Sequence, residues 1–253
     1  MKISVITVCF NSARTLSDTL QSVAAQTHPD IEHIVVDGGS VDDTLAVIER
    51  YRQSLSRVIS EPDRGVYDAM NKGIGMATGE VIGFINSDDF YADDAALSHI
   101  AEAFSDPTIE ACFGDLVYVD QEDPGRIVRY WKSCAYRPGR FEYGWVPPHP
   151  TFFVRRSVYQ KLGGFNLDLL LAADMELMLR FLEVNGIRSA YVPRTLIKMR
   201  LGGKTNQSLS NVIRQNREIM AALKLHGLRA SWLHFLGHKL WSRGRQFFVH
   251  PRT

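Results

Sequence analysis

Short apolar runs rich in β-branched residues recur along the first half of the chain, each broken by polar or glycine-rich residues and followed by helical periodicity. Ile3–Cys9 is the first such run; Asn11 and Ser12 interrupt it, and Leu16, Leu20 and Val23 then fall at helical spacing until Thr27–Asp30 ends the segment. Ile31–Val36 repeats the unit. It stops at Asp37-Gly38-Gly39-Ser40, and Asp42–Tyr51 sets Thr44, Val47, Ile48 and Tyr51 on related helix faces. Arg57–Ser60 predicts a third strand, Tyr67–Ala77 a helix ended by Gly79, and Val81–Ile85 a fourth strand running into Asn86-Ser87-Asp88-Asp89. Continuous apolar strands alternating with helices predict an α/β fold with a mostly parallel central sheet covered on both faces. The second half is less regular. Ala111–Val119, Ile127–Trp131 and Thr151–Val154 read as strands, Gly144–Pro150 as a proline-rich loop and Ala173–Val184 as a helix. No repeat or linker separates the halves, so one compact body is expected, with a change of composition near residue 224.

In parallel sheets ligands bind beyond the carboxyl ends of the strands, and polar clusters stand at three such ends: Asp37, Asp63-Arg64 and Asp88-Asp89. Asp88 and Asp89, with Asn86 beside them, are the hard oxygen ligands that Mg²⁺ or Mn²⁺ takes together with phosphate. The same pair also suits a turn that caps the next helix. Asp37 is placed to accept from a base or ribose, with Gly38-Gly39-Ser40 giving the backbone room to approach; equally, this is a glycine-rich turn with Asp42 capping a helix. Glu61-Pro62-Asp63-Arg64-Gly65, followed by Asp68, Asn71 and Lys72, gathers phosphate-binding groups at a helix start, or is a solvated charged turn. Gly73, Gly75 and Gly79 lack the dinucleotide spacing and no strand leads into them. In the second half, His149-Pro150 and Ala173-Asp174-Met175-Glu176 are the candidates, Asp174 as either a helix cap or a base.

Composition changes this picture little. The chain of 253 residues is 45% hydrophobic and 23% charged, which excludes a disordered or fibrous protein. A net charge of +1 provides no field to draw nucleic acid. Cys9, Cys112 and Cys134, odd in number and widely spaced, read as reduced structural thiols. The apolar run at the N-terminus is too short for a leader, and no stretch of about 18 apolar residues occurs, so a cytoplasmic chain without a transmembrane helix is expected.

Taken together, Ile6-Thr7-Val8-Cys9-Phe10-Asn11, Val36-Asp37-Gly38-Gly39-Ser40-Val41-Asp42-Asp43-Thr44, Ser60-Glu61-Pro62-Asp63-Arg64-Gly65-Val66-Tyr67-Asp68-Ala69-Met70-Asn71-Lys72-Gly73 and Asn86-Ser87-Asp88-Asp89 resemble glycosyltransferase family 2 in order and spacing. The third segment is similar especially to bacterial members that build surface and extracellular polysaccharides. The resemblance continues more loosely through His149-Pro150, Asp174 and Gly202-Gly203. It implies a GT-A type, Rossmann-like fold: residues 1–120 as a donor half, 121–223 as an acceptor and catalytic-base half of the same domain, and 224–253 as a C-terminal helical segment.

The resemblance further implies a nucleoside-diphosphate sugar donor, UDP foremost with GDP and dTDP as alternatives, a Mn²⁺ or Mg²⁺ cofactor, and a glycan or lipid-linked glycan acceptor. Thr7, Phe10, Asn11, Asp37, Gly39, Arg64, Asn71, Lys72, Ser87 and Asp88 are then the donor-side residues, Asp88 and Asp89 the metal ligands of a DXD-like motif, and Asp174 the base of an inverting transfer. His149 and Glu176 fall on the acceptor side, and Arg200, Gly202 and Gly203 in a flexible loop near the donor. Asn86 departs from the family pattern, which places an aspartate there.

Two other functions compete. A processive synthase would carry a Gln-x-x-Arg-Trp signature, which Gln215-Asn216-Arg217 does not match; a non-catalytic binding module would not need Asp88, Asp89 and Asp174. Finally, Lys224, Arg229, Lys239, Arg243, Arg245 and Arg252 alternate with Trp232, Phe235, Trp241, Phe247 and Phe248, with no acidic residue among them. That composition suits an interfacial helix on the anionic inner face of a membrane, or a helix that packs on the protein.

Overall fold

The computed structural model describes residues 1–202 and 209–228, and beyond these Ser231, Trp232, Phe235, Gly237, Trp241, Gly244 and Gln246. Among the described residues nine strands are formed: β1 (Ile3–Cys9), β2 (Ile31–Asp37), β3 (Arg57–Ser60), β4 (Val81–Asn86), β5 (Asp89–Tyr91), β6 (Ala111–Val119), β7 (Ile127–Trp131), β8 (Phe153–Arg155) and β9 (Ser189–Arg200). The helices are α1 (Leu16–Ala24), α2 (Thr44–Arg50), α3 (Val66–Met76), α4 (Ala96–Ala103), α5 (Arg156–Leu162), α6 (Ala173–Leu179) and α7 (Leu209–Leu225).

The strands make one sheet in the order β3-β2-β1-β4-β8-β6-β9-β5, with β7 paired to β6. β3, β2, β1 and β4 run parallel. The second half adds antiparallel pairings of β8 with β4 and β6, of β7 with β6 and of β5 with β9, while β9 is parallel to β6. Because β1 pairs with β2 on one side and β4 on the other, the chain changes direction across the sheet at β1. A crevice opens at the carboxyl ends of strands at such a switch.

Alternation along β1 explains why helices cover both faces. Ile6 and Val8 belong to one core cluster with Ala69 and Met70 of α3 and Leu177 and Leu179 of α6. Val5, on the other face, joins Leu97 and Ile100 of α4, and Cys9 joins Leu16, Leu20, Val47 and Ile48 of α1 and α2. Gly73 sets the approach of α3, since a Cβ there would lie 2.4 Å from Ile6 Cγ2. All three cysteines are free.

Two features depart from the sequence pattern. β9 is a 12-residue strand that the pattern does not show, because Pro193 and Arg194 interrupt its apolar positions. The register against β6 shifts between Phe113 and Asp115, so Val192, Pro193 and Arg194 form a bulge there that needs no ladder bond from the proline. The helix expected over 173–184 is α-helical only to Leu179; Arg180–Val184 widens into a π-turn, with Asn185 N donating to Arg180 O at 3.0 Å. Phe235 is buried against the main core and Gln246 O accepts from Tyr130 N at 3.0 Å, whereas Trp232 and Trp241 are 44% and 68% exposed. Gly203, Lys204, Arg229, Lys239, Arg243, Arg245, Phe247, Phe248 and Arg252 lie outside the described residues. Among the described residues no helix is long and apolar enough to cross a membrane.

Candidate active site

The loops after β1, β2 and β4 are stapled to one another at the crevice. Asn11 takes the left-handed conformation, φ 50°, which asparagine tolerates better than most residues. In that pose its Oδ1 accepts from Val41 N at 3.0 Å and its backbone N–H donates to Ser40 Oγ at 2.8 Å. Ser12 N donates to Thr44 Oγ1 at 2.7 Å, and Ser12 Oγ meets Ser87 Oγ at 2.8 Å. Phe10, 52% exposed, stands at the mouth.

Asp37 organises the second loop. Its Oδ2 accepts from Gly39 N at 3.2 Å, Ser40 N at 3.0 Å and Ser60 Oγ at 2.7 Å, and its Oδ1 accepts from Ser40 Oγ. The third loop closes over it: a Cβ on Gly38 would meet Asp63 Oδ2 at 2.3 Å, and Gly39, at φ 83°, lies against Pro62. Lys72 Nζ is held by Glu61 Oε1 and by Pro62 O, both at 2.9 Å, while Arg64 is exposed and pairs with Asp68 at 3.3 Å.

After β4 the turn Asn86–Asp89 presents its two carboxylates differently. Asp88 is half-buried; burial pushes its pKa up, opposed by its own amide and by Arg200. Asp89 is fully buried. Its Oδ2 accepts from Asn86 Nδ2 at 3.1 Å and its Oδ1 has no partner, so burial first and then the Asp88 charge hold its pKa well above the usual carboxylate range. Asn86 thus supplies a donor where another carboxylate would repel. Arg200 secures the turn from behind, donating to Asp88 O at 3.0 Å, pairing with Asp18 and lying 5.0 Å from the Phe90 ring centre. It is the last residue of β9 and 6% exposed, so it is a strand residue and not part of a flexible loop; Gly202 follows with φ 114°.

Among the described residues no cluster of three or more potential metal ligands forms. A cation at Asp88 therefore fits as one that shares its shell with diphosphate oxygens, the usual habit of Mg²⁺. The unpartnered Asp89 Oδ1 and the partly open Asp88 carboxylate are the acceptors available to it.

On the other side of β4, Asp174 stands in the first turn of α6, with Ala172 at the cap position. Its Oδ1 accepts a hydrogen bond of 3.0 Å from the hydroxyl of Tyr67, 107 residues earlier. The Tyr67 ring stacks on Phe165 at 5.4 Å, and Phe165 contacts Phe84 at 5.4 Å and His149 at 5.8 Å. Both ring nitrogens of His149 are buried without a partner, and burial pushes its pKa down while Asp174 opposes that. Tyr67 was visible within the third family segment, yet no spacing rule pairs it with Asp174.

Four of the expected site residues make hydrogen bonds or ion pairs within the scaffold. Thr7 is fully buried with its hydroxyl 2.9 Å from His33 Nε2, on the face of β1 that alternation shares with Val5 and Cys9. Asn71 clamps the loop after α5, donating to Phe165 O at 2.9 Å and accepting from Phe165 N at 2.8 Å. Glu176, 2% exposed, pairs with Arg180 at 2.9 Å and His226 at 2.7 Å and so ties α6 to the end of α7. The fourth is Asp37, whose oxygens accept from Gly39 and Ser40 of its own loop and from Ser60 of β3.

Residues 4–163 match the profile of the family described as Glycosyl transferase family 2. A glycosyltransferase of Mycobacterium tuberculosis, named uncharacterized, is 38% identical over 180 residues, 70% of this chain and 68% of the relative. S. aureus TarS 1–349 in complex with UDP-GlcNAc superposes with a TM-score of 0.70 at 19% identity, covering 95% of this chain and 73% of that one. Against the longer TarS chain, this chain spans 46% of its length. The mannosyltransferase PcManGT from Pyrobaculum calidifontis, in complex with GDP-Man and Mn²⁺, gives a TM-score of 0.67 at 19% identity over 95% of this chain and 69% of that one. These neighbours share the GT-A fold.

Proposed function

The chain belongs to glycosyl transferase family 2, and from that premise we propose that it moves one sugar per encounter from a nucleoside-diphosphate donor to an acceptor hydroxyl, by a single displacement with inversion. The observation that carries this reading is the convergence of Phe10–Ser12, Gly38–Ser40 and Ser87–Asp88, from three parallel strand ends, on one crevice.

Residues 1–120 form the donor half in this reading. Phe10 offers its exposed ring to the base, the Gly39 turn admits the ribose, and Arg64 and Lys72 supply cationic charge beside the diphosphate. Asp88, with Asp89 behind it, would hold Mn²⁺ or Mg²⁺, which when bound neutralises charge on the departing diphosphate. The PcManGT complex, which contains GDP-Man and Mn²⁺, supports that choice. Residues 121–223 carry the acceptor side. Asp174 takes the proton of the acceptor hydroxyl as the oxygen bonds to the anomeric carbon and the bond to the diphosphate breaks.

A panel of UDP-, GDP- and dTDP-sugars, read by nucleotide release with Mn²⁺ and after chelation, tests the donor and metal assignments; full activity after rigorous chelation removes the metal. Asp174→Asn is expected to lower transfer by about 10²–10⁴ with donor binding unchanged. Wild-type transfer in that variant removes Asp174 from the role. We further propose a peripheral contact with an anionic membrane and a lipid-linked acceptor, on the exposure of Trp232 and Trp241. Co-sedimentation with anionic vesicles, lost on replacing both tryptophans by serine, tests that contact; wild-type protein left in the supernatant at low salt dismisses it.

A further inference from the structure

A carboxylate that removes a proton during an in-line displacement must hold one oxygen in a fixed direction. Asp174 has a neighbour that holds the other. Tyr67 Oη donates to Asp174 Oδ1 at 3.0 Å, from a ring whose own orientation is restricted. One side of that ring stacks on Phe165 at an interplanar angle of 24°. Phe165 in turn is pinned through its backbone by Asn71, one turn along α3 from Tyr67, in a two-point amide clamp. Gly164 makes the clamp close, since a Cβ there would lie 2.2 Å from Asn71 Oδ1. Arg180 closes the loop from the other side by donating to Gly164 O at 2.6 Å. The phenol therefore has little freedom to leave the carboxylate.

We propose that Tyr67 is a positioning residue for the base: its hydroxyl fixes Asp174 Oδ1, so that Oδ2 is the oxygen presented to the acceptor. This rests on the reading of Asp174 as the base. The placement also joins the two halves of the site, because α3 begins directly after the Glu61–Gly65 loop on the donor side and carries Tyr67 in its first turn. Burial and the Asp174 charge push the Tyr67 pKa well up, so the phenol remains a donor wherever the base is ionised. The other titratable groups facing this pair are His149, from the turn before β8, and Glu218 of α7, whose charge reaches Tyr67.

The test uses the full chain with ¹³C-carboxyl-labelled aspartate, the Asp174 resonance being identified by its loss in Asp174→Asn. In Tyr67→Phe, which keeps the ring and its stacking, the Asp174 carboxyl resonance is expected to move from its wild-type position, since the hydroxyl that donates to Oδ1 is gone. The kcat for transfer should fall by about 10- to 100-fold with the donor KM unchanged. An unmoved resonance, or a moved resonance with a wild-type kcat, overturns the proposal. Should Tyr67→Phe melt well below wild type, the ¹³Cζ resonance of Tyr67 in wild type and Asp174→Asn decides: a shift on losing the carboxylate supports the bond, and identical spectra overturn it. Failure of the base assignment is seen separately, as undiminished transfer by Asp174→Asn, whatever the resonances show.

Discussion

Asn86 shows what a single atom can decide. Its Nδ2 is the one donor that the buried Asp89 carboxylate has from a neighbouring side chain, at 3.1 Å, and aspartate at this position would replace that donor with a third negative charge. Asn86→Asp is therefore expected to destabilise the protein by about 1–3 kcal/mol, the cost of an unsatisfied buried acceptor, before any repulsion is counted. Thermal melting measures this, and Mn²⁺ should recover part of the loss if the cation sits among these carboxylates; a melting temperature equal to wild type would show that the amide contributes nothing to the turn. The departure from the family pattern was legible in the sequence, but its reason was not, because the Asn86–Asp89 bond depends on how the turn folds back on itself. Asp37 taught the converse. A glycine-rich loop after a strand suits a ligand-facing acceptor and equally a turn with Asp42 capping the next helix, so sequence left both readings open. In the fold three backbone or hydroxyl donors bind Asp37 Oδ2, one of them from Ser60 on β3, a neighbouring strand that the loop itself does not reveal.

At the scale of elements, the parallel strands were legible because each is a β-branched run buried on both faces, and their order followed from alternation with helices. β9 was not, since its bulge at Val192–Arg194 breaks the pattern and its partner, β6, is far away in sequence. α3 is the element on which the site depends most, carrying Tyr67 on one face and Gly73 on another. Only glycine permits the approach of α3 to β1, with Ile6 Cγ2 at 2.4 Å from the missing Cβ. Gly73→Ala is expected to gain the helix propensity of alanine, at most about 1 kcal/mol, and to lose about 1–3 kcal/mol to overpacking. The overpacking term wins, so urea melts should show a net loss. Transfer should fall as well if the displaced helix carries Tyr67 off Asp174. A variant as stable as wild type would mean that Ile6 moves aside at no cost.

Across the whole molecule, the end of the sheet opposite the crevice holds a buried charge that couples folding to pH. Glu32, 3% exposed, accepts from Ser4 Oγ at 2.5 Å, Thr78 N and Thr78 Oγ1 at 2.7 Å each, and Lys2 Nζ at 3.4 Å, so it binds the start of β1, β2 and the turn before β4 together. Burial alone would push its carboxyl up; those hydrogen bonds, with Lys2 last, carry it down from 4.5 to about 2. A carboxyl lowered on folding contributes stability that is present above its unfolded value and lost as pH falls toward the folded one. The window is thus pH 4.5 down to about 2, and the difference corresponds to roughly 3 kcal/mol. His33, its neighbour on β2, acts over an adjoining range: burial holds its imidazole at about 3 against 6.5, so the unfolded chain binds that proton first and stability falls as pH drops below 6.5. Wild-type protein should lose stability in two overlapping steps on acidification, first from His33 and then from Glu32. Glu32→Gln should lower stability at pH 7 and flatten the slope below pH 4.5, leaving the step above it in place. Urea midpoints measured from pH 3 to pH 7 on both proteins check this, and parallel curves below pH 4.5 would show that the Glu32 hydrogen bonds do not couple folding to protonation.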